Sequence, residues 1–328
     1  MLIFFISLAA TNFIMQDVII NSRICMTLLD SIGNTPMIRL DNIYVKLEYL
    51  NPSGSVKDRI AKYIVEKAEQ AKELKAGYTI VEATSGNTGI AFSLVAALKG
   101  YKMTVVMPRG MSKERQGMMQ ALGAKLILVK KDCVACAVEE AEKIAKLPRH
   151  YMPRQFQNPW NAEEHEKHFA REILKQVPGK IEAFVAGIGT GGTLIGTSKA
   201  IKKRYLKAQM IAVEPQECAI LSGSGYARHG ISGLHKGYTC AHHGIEGIGD
   251  GFIPEIVSNN TKYIDDVVIV KSKDALQEAR NLARRGYLVG PSSGANFLAA
   301  KQVIKENKTV VTLFPDRGER YLSEGIYL

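Results

Sequence analysis

The sequence predicts an α/β fold: two open-sheet α/β lobes, each a three-layer α/β/α sandwich, with the active site in the cleft between them. Three observations carry this. Short apolar runs alternate with longer segments of helical period through most of the chain. Two separate stretches repeat the order strand, turn, helix, strand, which suits parallel pairing. Glycine and proline fall at the joints, as at Gly100, Pro108 and Gly123, and so delimit the elements.

In chain order, residues 78–83 read as a short strand and 87–99 as a helix closed by Gly100. A strand at 102–107 is stopped by Pro108. Residues 112–122 read as a helix closed by Gly123, before a strand at 125–129 and a helix at 134–146. A second unit opens with a strand at 183–186, a helix at 193–205 and a strand at 210–213. Helix 273–285, strand-like 288–289, helix 294–306 and a terminal strand at 309–314 complete it. The expected division is a smaller N-terminal lobe over residues 50–160 and a larger lobe from 26–49 with 161–328. Residues 221–250, rich in Gly and His, read as a long loop, of a length that is often functional or mobile.

Residues 2–10 are apolar, but no basic residue precedes them and they are too short to span a bilayer. With Met26 just ahead of ordinary domain sequence, residues 1–25 are expected to be an extension outside the folded domain, and the setting cytoplasmic with no membrane association. In 328 residues, 46% hydrophobic and 23% charged, a proper core is expected. The net charge of +11 is spread among acids, and its densest cluster, Lys202, Lys203, Arg204 and Lys207, reads as a solvated helix face. Without a nucleic-acid-binding motif, the charge suits small anions; no nucleic-acid partner is expected. Five cysteines are too few and scattered for a disulfide framework. Cys133 and Cys136 read as two small buried side chains on one helix face rather than a metal pair. With no ligand set beyond a weak one at Cys240, His242 and His243, no metal is expected.

The chemistry centres on Lys57, in a Ser/Gly turn at a probable helix start. There the positive end of the helix dipole disfavours protonation and keeps an amine nucleophilic. Thr84, Ser85, Gly86, Asn87 and Thr88 join the first strand of the small lobe to its helix. Free N–H groups and hydroxyls at such a joint suit an anion, and the Asn87 amide can donate to a phenolate-type oxygen. Gly189, Thr190, Gly191, Gly192 and Thr193 repeat that architecture without the lysine or glycine spacing of nucleotide loops, which fits a phosphomonoester. Ser292 stands at a third strand-to-helix joint. An imine-forming amine, a carboxylate loop and a phosphate loop point to a pyridoxal 5'-phosphate enzyme acting on an amino acid. For each loop taken alone, simple helix capping is the competing explanation.

These segments, with Ile32-Gly33-Asn34-Thr35-Pro36, Lys46–Pro52, Gln155-Phe156-Gln157-Asn158-Pro159 and Pro315–Tyr321, appear together and in order from about Thr27 onward. The chain resembles the cysteine synthase (O-acetylserine sulfhydrylase) family, of pyridoxal-phosphate fold type II. The resemblance implies that Lys57 carries the cofactor as a Schiff base. Asn87 would meet the ring hydroxyl, Gly189 to Thr193 the phosphate, and Ser292 the ring nitrogen. Thr84, Ser85, Gly86 and Thr88, with Gln155, would grip the substrate carboxylate. It further implies β-replacement of O-acetyl-L-serine by sulfide, a homodimer, and docking of a serine acetyltransferase C-terminal tail. Glu246 stands where glutamine is common, Asp250 where alanine is common, and segment 222–243 is longer than usual. Competing readings are condensation of serine with homocysteine (cystathionine β-synthase), serine/threonine dehydration, and a regulatory or anion-binding protein without turnover. The short run after Tyr321 argues against an appended regulatory domain.

Overall fold

The computed structural model describes residues 27–84, 86–130, 134–223, 240, 243–306 and 309–327. The expected extension, Ser85, Cys133, His242 and most of segment 222–243 lie outside the described residues. Strands β1 (Met37–Leu40) and β2 (Ile43–Leu47) come first. They pair antiparallel across Asp41 and Asn42, whose φ of 47° and 66° make the two-residue turn that matches strand twist. Helix α1 (Lys57–Gln70) buries Ile60, Ile64, Val65 and Ala68 along one stripe.

The small lobe follows as β3 (Thr79–Ala83), α2 (Asn87–Lys99), β4 (Lys102–Pro108), α3 (Lys113–Ala121), β5 (Lys125–Val129), α4 (Val134–Ala145) and β6 (His150–Tyr151). Its parallel sheet has the order β5-β4-β3-β6. Alternation along the strands builds both faces. Ile80 and Val105 pack on α1 and α2 with Ile64 and Phe92, whereas Val81 and Val106 pack on α4 with Ala137 and Ala141.

Helix α5 (Pro159–Glu164), a π-helical turn (His165–Phe169) and α6 (Ala170–Gln176) lead into the large lobe. Its elements are β7 (Ala183–Gly187), α7 (Gly192–Arg204), β8 (Gln209–Pro215), β9 (Asp266–Val270), α8 (Ser272–Arg284), α9 (Pro291–Val303) and β10 (Val310–Phe314). The sheet order is β1-β2-β10-β7-β8-β9, parallel apart from the β1–β2 pair. Val185, Val213 and Phe314 meet α8 and α9 on one face; Phe184, Met210 and Leu313 meet Phe169 and Ile201 on the other. Both lobes are thus the three-layer sandwiches expected.

Arg59 and Lys46 cross-link these parts. Buried Arg59 binds Glu48 (Nε–Oε2 2.6 Å) and Glu172 (Nη2–Oε2 2.7 Å), and Lys46 Nζ lies 2.7 Å from the same Glu172 oxygen. A buried charge requires such pairing.

The cysteines correct the sequence reading. Cys218 and Cys240 form a disulfide with Cα atoms 4.5 Å apart, and Cys136 is also disulfide-bonded. Pairing follows proximity in space, and Cys240 is 22 positions from its partner. The strand expected at 288–289 is a single bridge from Val289 to Arg317. Lys202 and Lys203 pair with Asp265 (2.8 Å) and Glu166 (2.6 Å), as a solvated helix face does. Among the described residues, no helix is long and apolar enough to cross a membrane, and no cluster of acidic, His or Cys side chains is arranged to hold a metal.

Candidate active site

One cleft between the lobes is lined by Lys57, Thr84, Asn87, Gln155, Thr190 and Ser292. The C-terminal ends of β3, β7 and β10 open into it, the usual ligand position in open parallel sheets. Of the residues the sequence singled out, Gly86, Thr88, Gly189, Gly191 and Thr193 also line it. Gly192 opens α7 directly behind them; Ser85 lies outside the described residues.

Lys57 is the first residue of α1, and its backbone N–H donates to Ser55 Oγ (3.3 Å). Among the described residues its Nζ makes no hydrogen bond or ion pair. Burial lowers its pKa, against the opposing pull of Asp250 and Asp316. Desolvation therefore works in the same direction as the helix-dipole expectation, toward a neutral and nucleophilic amine. Asp250 is the converse case. Burial raises its pKa, and Lys57 pulls it back.

The small-lobe loop is held from behind. Gly86 N donates to Thr84 Oγ1 (2.9 Å), and Thr88 Oγ1 donates to Gln155 Oε1 (2.6 Å). The Thr88 hydroxyl has one proton, so here it orients Gln155, and only its lone pairs face elsewhere. The Gln155 amide donates to Ala83 O (2.9 Å), and its backbone N–H to Glu82 Oε2 (3.2 Å). Burial pushes the Glu82 carboxyl up to about 8, although backbone N–H donors oppose the shift.

The large-lobe loop is a cradle that only glycine allows. Gly191 has φ +82°, and a Cβ there would stand 2.2 Å from Val257. One on Gly189 would stand 2.4 Å from Gly247 O, and one on Gly192 1.9 Å from Asn161 Oδ1. Thr190 Oγ1 accepts from Asn161 Nδ2 (3.0 Å) and Gly192 N (3.4 Å). With both lone pairs engaged, its O–H is left to donate. Close backbone, a spare hydroxyl proton and a helix N-terminus fit a phosphate group. Ser292, in the first turn of α9 after Gly290-Pro291, lines the same cleft.

Several contributors carried no recognisable pattern in the sequence. Asn161 Nδ2 donates to both Gln155 O (2.9 Å) and Thr190 Oγ1, and so couples the two loops. His165 Nε2 lies 2.9 Å from Thr193 Oγ1. Asn87 Nδ2 donates to Asp316 Oδ2 (2.7 Å), and Arg320 donates to Asn87 Oδ1. Asp316 and Arg320 stand in a segment the sequence singled out without giving it a task. Arg115 lines the cleft under Gly86 and pairs with Glu246. The Glu246 and Asp250 departures both face the same space.

A desolvated amine in a cleft between a glycine-built loop that fits a phosphate and a second strand-to-helix loop, on two sheets, is the arrangement of a pyridoxal-phosphate enzyme of the two-lobed type. The family model for pyridoxal-phosphate dependent enzymes matches residues 28–316, and the chain belongs to that family. It is 44% identical over 310 residues to a cysteine synthase of Staphylococcus aureus, covering 90% of this chain and 95% of that protein. An O-acetylserine dependent cystathionine β-synthase from Helicobacter pylori superposes with TM-score 0.85 at 37% identity, covering 93% of this chain and all of that one. A hydrogen sulfide-producing enzyme from Fusobacterium nucleatum superposes at 0.83 with 40% identity, over 92% and 91%.

Proposed function

We propose that the protein makes L-cysteine by replacing the β-acetoxy group of O-acetyl-L-serine with sulfide. The observation that carries this is the Lys57 amine, desolvated and, among the described residues, without an ion-pair partner, in the cleft between the two loops that suit anions. Bound pyridoxal phosphate supplies the electron sink that acidifies the substrate Cα–H and lets the β-substituent leave. Gly189 to Thr193 would hold its phosphate, Asn87 its ring oxygen and Ser292 its ring nitrogen. A neutral Ser292 hydroxyl leaves that nitrogen without a charged partner, which suits departure at Cβ over a long-lived carbanion. Lys57 would take the Cα proton and return it to product. Thr84, Gly86 and Gln155 would orient the substrate carboxylate, together with Ser85 and the Thr88 backbone N–H, while the Thr88 hydroxyl holds Gln155. The 44% identity to a cysteine synthase supports this reading.

A homodimer, a cytoplasmic setting, the division at residues 50 and 160, and docking of a serine acetyltransferase tail belong to the same proposal, on the family resemblance. The test is direct. Purified protein should be yellow, Lys57→Ala should lose the covalently held cofactor, and O-acetylserine with sulfide should yield cysteine. A protein that stays colourless with added pyridoxal phosphate would refute it.

One observation favours a second reading, release of sulfide from cysteine. Asp250 places a buried carboxyl beside Lys57 where the resemblance leads one to expect alanine, and the Fusobacterium nucleatum relative is a sulfide producer. Asp250→Ala should then reduce sulfide release from cysteine far more than cysteine formation.

A further inference from the structure

The two segments expected to take the substrate carboxylate are tied together by one buried acid. Glu82, next to the last residue of β3, is 1% exposed. Its Oε1 accepts from the N–H of Ala83 (2.9 Å), which leads into the loop at Thr84, and its Oε2 from the N–H of Gln155 (3.2 Å). The backbone of Arg154, at a left-handed φ of 57°, donates to the same carboxyl. Around Gln155, Thr88 donates to Oε1, Ala83 O accepts one Nε2 proton, and Asn161 donates to the backbone carbonyl. An amide nitrogen carries two protons, so one remains for a ligand in the cleft that Gln155 lines.

We propose that Glu82 is a positioning residue for the substrate carboxylate. Through the N–H groups of Ala83 and Gln155 it aims the Gln155 amide, and it does so without opposing the ligand only while its own carboxyl is neutral. Once ionised, it sets a like charge behind the carboxylate site. This rests on the reading that Gln155 and the loop at Thr84 take a carboxylate. Burial pushes Glu82 up to about 8, against its backbone donors and Arg154, so both forms occur near neutrality. The charged and titratable groups that face it are Arg154, a permanent cation, and Tyr151 of β6, whose hydroxyl is pushed up by burial, Glu73 and Glu82. Ile80 and Val105, on the same face of the sheet, are apolar.

Calorimetric titration of the holoenzyme at low salt uses two ligands without the substrate amine, 3-acetoxypropionate and its uncharged amide. For like charges about 10 Å apart, some three residue lengths, at an effective dielectric near 20, ionised Glu82 weakens carboxylate binding about tenfold. The Kd of the acid should therefore rise about fivefold between roughly pH 7 and 9, with proton uptake on binding, while that of the amide stays level. Glu82→Gln, which keeps an acceptor for the backbone N–H groups, should flatten the profile of the acid. Glu82→Ala should weaken binding of the acid at every pH. Parallel profiles for acid and amide in the unaltered protein, a comparison that needs no variant, would overturn the role of Glu82, as would an unchanged profile in Glu82→Gln. No binding of the acid at any pH would instead sink the carboxylate reading of the loop.

Discussion

Replacing Gly192 by alanine isolates the geometry of the loop proposed to hold the cofactor phosphate. The added Cβ would lie 1.9 Å from Asn161 Oδ1, and Gly192 is outside the left-handed region, so the penalty is contact rather than backbone strain. Asn161 must move, and its two bonds, to Gln155 O and Thr190 Oγ1, are then lost. At roughly 1 kcal/mol net per hydrogen bond, with a similar amount for burying an unmet group, the penalty is about 2–3 kcal/mol. Cofactor affinity should fall about 30- to 150-fold, measured by titrating resolved apoprotein with pyridoxal phosphate. The reasoning is checked with Asn161→Ala, which removes the obstructing oxygen. In that background Gly192→Ala should cost little, giving a coupling of about 2 kcal/mol in a double-mutant cycle. Equal penalties in both backgrounds would refute the mechanism.

Three further outcomes concern the buried charges. Arg59→Met should destabilise the fold by about 3–5 kcal/mol in denaturant titration, because Glu48 and Glu172 lose their partner inside the protein. Burial alone would push Glu172 up, but Arg59 and Lys46 outweigh it and hold the carboxyl at about 2. Its folded pKa is thus below its unfolded one near 4.5, so the stability it contributes is full above 4.5 and lost as pH falls toward 2; Glu172→Gln should flatten that acid limb of the melting profile. Burial raises Glu82 to about 8, so it destabilises the fold as pH rises from about 4.5 through 8; Glu82→Gln should remove that slope, and an unchanged slope would show that Glu82 is not its source.

The layers and most elements were legible because each was written in a local pattern. The run Thr79–Ala83, Asn87–Lys99, Lys102–Pro108 has its own strand, helix and breaker signals. The β1–β2 hairpin was not legible, because its turn at Asp41-Asn42 lacks glycine and its strands are four and five residues long. Helices α5 and α6 were missed for another reason: the π turn at His165–Phe169 interrupts the 3.6-residue period that would reveal one helix. The disulfide escaped because its partners meet only in three dimensions.

Within the site, the residues whose place in the cleft was legible are those fixed by backbone position: Lys57 at a helix start, and glycines and threonines at strand-to-helix joints. The illegible ones hold the first group in place. An anion loop works only if its hydroxyl protons point at the anion, and which way they point is decided by who else uses the oxygen. Thr190 is left a donor because Asn161 and Gly192 occupy its lone pairs; Thr88 is not, because Gln155 takes its proton. Each threonine is followed directly by glycine at a strand-to-helix joint, Thr88-Gly89 and Thr190-Gly191, so the sequence alone does not separate the two cases. Asn161 is therefore the side chain on which both loops depend. It fixes Gln155 through the backbone carbonyl and Thr190 through the hydroxyl, so that the groups expected to hold substrate carboxylate and cofactor phosphate share one support. Asn161→Ala should consequently weaken cofactor binding and raise the KM for O-acetylserine together, whereas a loss confined to one of them would show that the two loops are supported independently.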